Sequence, residues 1–151
     1  MNPFDQDTVV VSHEQIDVTA MLAAIGDDRA GASVVFSGMV RNHAPGKTDI
    51  SHLEYEAYVG VVEVKIAEII AEAAARWDVL EVRAAHRLGE LGIRDVSVAV
   101  AVSSAHRAES FEAARYVIDE LKKRAPIWKK EHWPGGAEWV REDHSNQDLS
   151  S

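Results

Sequence analysis

Four groups of basic side chains fall at the ends of segments whose patterning reads as secondary structure. They are Arg41-Asn42-His43, His106-Arg107, Lys122-Lys123-Arg124 and Lys129-Lys130. Ligand sites gather at such ends, because loops carry them on a rigid scaffold. Arginine offers a forked pair of donors to an anion, and lysine offers a compact charge. His106-Arg107 follows Ser103-Ser104-Ala105, where strand-like patterning gives way to helical patterning. A helix beginning there adds free N–H groups and a positive dipole end. The chemistry on offer is the binding of a small anion, a phosphate or a carboxylate.

Plainer readings compete with this one. Lys122, Lys123 and Arg124 occupy a final helical turn, where cations complement the macrodipole. A lone Arg after a strand is ordinarily a solvated surface residue. His86-Arg87 resembles His106-Arg107 but lies inside a strand-like run, so packing or a dimer contact is its expected role. Tryptophans are more often core or interface anchors than stacking platforms. The seven histidines (13, 43, 52, 86, 106, 132, 144) show no HxH or HExxH spacing, so no metal is expected. GxSxG, GxGxxG and GxxxxGK[ST] are all missing, which disfavours serine hydrolase, dinucleotide and P-loop chemistry. Cysteine is absent too. That removes disulfides, thiolate sites and any cysteine nucleophile or persulfide, so sulfur handled here must arrive on another molecule.

The elements that must position these residues can be read from pattern. Thr8–Ser12 is a β-branched run and reads as a strand. Residues 17–25 read as a helix with Asp17 as N-cap, an apolar stripe of Met21, Leu22 and Ile25, and Gly26 as its stop. Ala32–Arg41 reads as a strand whose Gly38 marks a bulge or a close approach. Residues 42–51 hold Pro45-Gly46 and form a loop. His52–Tyr58 alternates as a half-buried strand does. From Val61 to Trp77 the period becomes 3.6, with Val62, Ile66, Ile69, Ile70, Ala73 and Trp77 on one face. Glu81–Leu91 and Ser97–Ser103 read as two strands joined by a turn near 92–95. A long helix covers Arg107–Arg124, with Phe111, Ala114, Ile118 and Leu121 in a stripe and Pro126 past its end. The remainder holds Trp128, Trp133 and Trp139 around Pro134-Gly135-Gly136, and is polar and frayed beyond Val140. Hairpin-like strands mixed with two or three helices give an α+β domain over 1–140, followed by a polar, disordered tail over 141–151.

Composition bounds the function. The 151 residues suit one domain with a real core, and 46% apolar with 27% charged residues is an ordinary globular balance. No run reaches the roughly 18 apolar residues of a membrane span. MNPFDQD has two acids and no basic n-region, so a secretory signal is not expected and the cytoplasm is the expected address. A net charge of −9 argues against bulk nucleic-acid binding. Yet residues 1–38 hold one Lys or Arg, Arg29, while five of the 16 fall between Lys122 and Lys130. A local basic cluster on an acidic chain suits a small anion or an acidic peptide tail.

Five stretches occur in a telling order: FSGMVRNH (36–43), LEYEAY (53–58), HRLG (86–89), VSSAHRA (102–108) and RAPIWKKE (124–131). In that order they resemble the large subunit of molybdopterin synthase, over about Thr8 to Val140. Each is modest alone; five in register are specific. Departures from the family pattern fall at Met39 and in the loop Ala44–Ser51, neither expected to touch the basic residues. The resemblance implies an α/β-hammerhead fold and a central homodimer, with a small ubiquitin-like subunit docked on each protomer. It further implies that the small subunit's C-terminal Gly-Gly thiocarboxylate enters a pocket here. There it gives sulfur to cyclic pyranopterin monophosphate, and two transfers build the dithiolene of molybdopterin. No resident cofactor or metal is implied. By the same resemblance, substrate contacts carry over to Met39, Val40, Arg41, His106, Arg107, Lys122, Lys129, Lys130 and Glu131. Arg41, His106 and Arg107 are assigned to phosphate and pterin, and Lys122 and Lys129 are the expected catalytic pair. The alternative is a non-catalytic adaptor that binds an acidic tail or a phosphometabolite.

Overall fold

Asp17 begins the first helix as its sequence position demands: its carboxylate accepts the Ala20 N–H at 3.0 Å. In the computed structural model, which describes residues 2–141, a 3-10 turn at Pro3–Asp5 precedes strand β1 (Val9–Ser12) and helix α1 (Val18–Ala24). Then follow β2 (Ala32–Met39), β3 (His52–Ala57), α2 (Val61–Arg76), β4 (Glu81–Arg87), β5 (Gly89–Gly92) and β6 (Val96–Ser104). Helix α3 (Arg107–Arg124) and strands β7 (Ile127–Trp133) and β8 (Gly136–Arg141) complete the described residues. The α+β reading holds. Apart from Arg141, which ends β8, the expected polar tail lies outside the described residues.

Two four-stranded sheets result, ordered β1-β4-β6-β2 and β5-β3-β7-β8. Only β1 and β4 run parallel. The first sheet is covered on both faces, and the alternation along β6 shows how. Val98, Val100 and Val102 join the main core with Ile66 and Ile69 of α2 and Val117 and Leu121 of α3. Ala99 and Ala101 face the other way, against Phe4, Met21 and Ile25. A strand buried on both faces reads as a near-continuous apolar run, as Val98–Val102 does.

One sequence expectation needs correction. Glu81–Leu91 is not one strand: it breaks at Leu88, and β5 leaves the first sheet to pair with β3 in the second. Gly89 makes the switch at φ +89°, a region open to glycine without strain. The segment after Pro126, to which the sequence reading assigned no element, forms a hairpin of β7 and β8. Pro134 and Gly135, the latter at φ +94°, occupy its two corner positions in the type II pattern.

The two long helices are bolted together near the site. Arg124 donates to both oxygens of Glu72 at 2.6 and 2.8 Å, and the Tyr116 hydroxyl adds a bond at 2.7 Å. The Arg124 guanidinium first, and then Tyr116, hold the Glu72 carboxyl down from 4.5 to about 2. A carboxyl depressed on folding stabilises above its unfolded pKa and loses that effect as pH falls through the folded one. Glu72→Gln is therefore expected to melt below wild type at neutral pH. The gap should narrow from about pH 4.5 and close near pH 2. Melting curves across that range check it, and a constant gap would assign the loss to packing instead.

Candidate active site

One end of β2 and β6 meets the inner face of the second sheet, and a cavity of about 240 Å³ lies between them. Gly38 is what lets β2 close over it. The β2–β6 register slips between Gly38 and Met39, the bulge expected of a strand glycine. A Cβ on Gly38 would sit 2.7 Å from Cγ1 of Val98, itself 1% exposed. Gly38→Ala should lower stability by about 1–3 kcal/mol through this overpacking, read by chemical denaturation.

The cavity has an apolar wall and a charged one. Phe36, Leu53 and Tyr55 supply the first; Arg41, Lys122, Lys129 and Glu131 supply the second. The charged residues come from three places. Arg41 follows β2 and is steered by its own loop, its Nε donating to the His43 carbonyl at 3.1 Å. Lys122 stands in the last turn of α3. Its neighbours turn elsewhere, Lys123 toward Glu120 at 3.7 Å and Arg124 to Glu72. Lys129 and Glu131 are the inward positions of β7, which alternates buried and half-buried.

Burying two charges side by side is costly unless they are paired. Lys129 Nζ lies 3.8 Å from Oε2 of Glu131, and Glu131, at 3% exposure, accepts from Lys47 Nζ through Oε1 at 2.7 Å. Lys47 also reaches Glu138 at 2.9 Å. Burial pushes the Lys47 ammonium down, but the bonds to Glu131 and Glu138 outweigh it and hold its pKa above the ordinary value.

Of the residues expected at the site, Met39, Arg41, Lys122, Lys129 and Glu131 line this cavity together. Val40 lies between two of them and is buried, clasped by backbone bonds with Arg94 and Asp95. Lys130 faces the other side of β7, its Nζ 5.6 Å from the Trp139 ring centroid. His106 and Arg107 line a separate hollow with Gly31 and Ala105. Gly31 precedes β2 and Met39 ends it, so the two sites stand at opposite ends of one eight-residue strand, roughly 23 Å apart at the usual rise per residue. His86 is buried in an edge contact with Tyr55 at 4.9 Å, as its strand position suggested.

The expectation that Met39 and the 44–51 loop stay clear of the basic residues is overturned. Met39, Ala44 and Ile50 line the cavity with Lys122 and Lys129, and Lys47 grips Glu131. Phe36, Ser97, Leu53 and Tyr55 were not foreseen as lining residues. The alternation of Leu53 and Tyr55 along β3 was the available signal for those two. Among the described residues no group of His, Asp or Glu could hold a metal ion, and no helix is long and apolar enough to cross a membrane.

The family model described as MoaE protein matches residues 11–124. The molybdopterin synthase catalytic subunit of Halalkalibacterium halodurans is 42% identical over 130 residues, covering 86% of this chain and 83% of its own. That of Escherichia coli K12 is 46% identical over 123 residues, covering 82% and 81%. The crystal structure of molybdopterin synthase from Staphylococcus aureus superposes with a TM-score of 0.81 at 38% identity, covering 89% of this chain and 96% of that one.

Proposed function

The chain belongs to the MoaE protein family, that of the molybdopterin synthase catalytic subunits, and from that premise we propose how its own residues serve the sulfur transfer. The observation that carries the proposal is the convergence of Lys122, Lys129 and Arg41, from three separate segments, on one narrow cavity with an apolar wall. A tail ending in two glycines has no side chain to collide there, and its thiocarboxylate is an anion. The cations draw it in. Lys122 and Lys129 then stand where negative charge develops as sulfur passes to the pterin, and stabilise it in a site screened from water. Lys129 is the more deeply buried of the two, 8% exposed beside Glu131.

His106 and Arg107 serve the same reaction from a second copy of the chain. Within one protomer they stand at the far end of β2 from the lysines, whereas a two-fold homodimer can bring one copy's α3 N-terminus to the other copy's cavity. There Arg107 offers its fork, and the start of α3 its N–H groups, to the precursor's phosphate. The enzyme is then a homodimer carrying two small ubiquitin-like subunits, and it works in the cytoplasm without a resident cofactor.

Docking of the small subunit should weaken with salt, because an anionic tail is steered into a basic pocket. A several-fold rise in Kd between about 0.05 and 0.5 M salt is expected, measured by titration calorimetry; an unchanged Kd would point to a mainly apolar interface. The reaction itself is tested by mixing the purified chain with the thiocarboxylated small subunit and the cyclic monophosphate. A product carrying two new sulfur atoms is expected. Tight binding with no product would make the chain an adaptor.

A further inference from the structure

Glu131 has two oxygens and two ammonium neighbours at unequal distances, Lys47 at 2.7 Å and Lys129 at 3.8 Å. Lys47 does not line the cavity; Glu131 and Lys129 do. We propose that Lys47 is a positioning residue for sulfur transfer, engaging the Glu131 carboxylate so that Lys129 keeps its ammonium turned toward the cavity. The inference rests on the reading of Lys129 as a catalytic group.

The loop is built to present Lys47. A backbone bridge pairs Ala44 with Lys47, and Gly46 between them takes φ +74°. The Lys47 ammonium is further held over the Trp133 ring, 5.1 Å from its centroid, and by Glu138 on β8. These contacts fix one lysine of a loop against two strands of the second sheet. The consequence for Glu131 is electrostatic. A carboxylate 3% exposed cannot turn to bulk water when it loses its close partner. It can swing the remaining distance to Lys129 and close a tight ion pair. Such a pair holds the ammonium on β7 and away from the sulfur.

Lys47 differs from a residue that merely fastens a loop. Glu138 shares that fastening, but its side chain is 58% exposed and does not line the cavity. Removing it leaves the Lys47–Glu131 bond in place.

The test uses the assembled synthase with Lys47→Ala, Lys47→Arg, Glu138→Ala and Lys129→Ala, measuring kcat, the precursor's KM, small-subunit Kd and melting temperature. Lys47→Ala is expected to lose about tenfold to a hundredfold in kcat, the cost of a slightly misplaced catalytic group. Its KM, Kd and melting temperature should remain near wild type. Lys47→Arg should restore most of kcat, and Glu138→Ala should retain it. Wild-type kcat in Lys47→Ala would overturn the proposal. So would a loss in Lys47→Ala matched by loss of folded protein, no recovery in Lys47→Arg, or an equal loss in Glu138→Ala. If Lys129→Ala itself retains full turnover, the catalytic reading fails. If it is dead while Lys47→Ala is intact, the positioning role alone fails.

Discussion

Lys129→Ala is expected to lower turnover by about two decades or more, with dimer assembly and melting temperature near wild type. The fold should survive because the buried carboxylate beside Lys129 keeps its closer partner: Glu131 remains bonded to Lys47 at 2.7 Å. Lys129→Met retains most of the aliphatic stem, and separates lost charge from lost packing. Lys122→Ala should behave alike. Lys122 sits in the last turn of α3, where losing a dipole contact costs only about 0.3–1 kcal/mol, too little to unfold the domain. Full activity in both alanine variants would return the two lysines to the plain role of surface cations.

The second large effect is expected at the other end of the first sheet. Arg107→Ala should raise the precursor's KM by one to two decades, since charge-assisted bonds to phosphate are worth roughly 1.5–3 kcal/mol. Docking of the small subunit should be untouched. Mixed dimers of Arg107→Ala and Lys129→Ala then give a distinctive result. Each single variant is poor, yet a mixed dimer has one cavity with both wild-type groups. A one-to-one mixture should therefore recover about a quarter of wild-type activity under random two-fold pairing. If precursor KM is unchanged while docking collapses, Arg107 belongs to the subunit interface and not to the phosphate.

Local rules wrote the helices plainly. The 3.6 period of α2 and the Asp17 cap of α1 each stated an element and one of its ends. What eluded local reading involved the placement of charge. In β7 the inward positions after Ile127 are Lys129 and Glu131, so the alternation that announces a strand is carried by residues normally found outside. That is also why they mark a site. The break at Leu88 was hidden because no proline or turn cluster marks it, and only Gly89 carries the switch. His106-Arg107 was legible as a strand-to-helix junction, which the structure has between β6 and α3, but sequence does not say at which end of a sheet a connection lies. Lys47 was out of reach for a simpler reason: its partner Glu131 is 84 residues away, and nothing in a short loop announces a contact at that range.

The central claim is that the cavity between the two sheets, through its lysines, moves sulfur from the docked small subunit to the pterin. A single-turnover experiment with the thiocarboxylated small subunit prebound and the precursor in excess tests it directly. Mass spectrometry follows the small subunit's C-terminus as sulfur is replaced by oxygen. Wild-type enzyme should discharge the thiocarboxylate in step with the appearance of one sulfur on the pterin, and Lys129→Ala should bind the same subunit equally well and leave its sulfur in place. Discharge by Lys129→Ala at the wild-type rate would contradict the account.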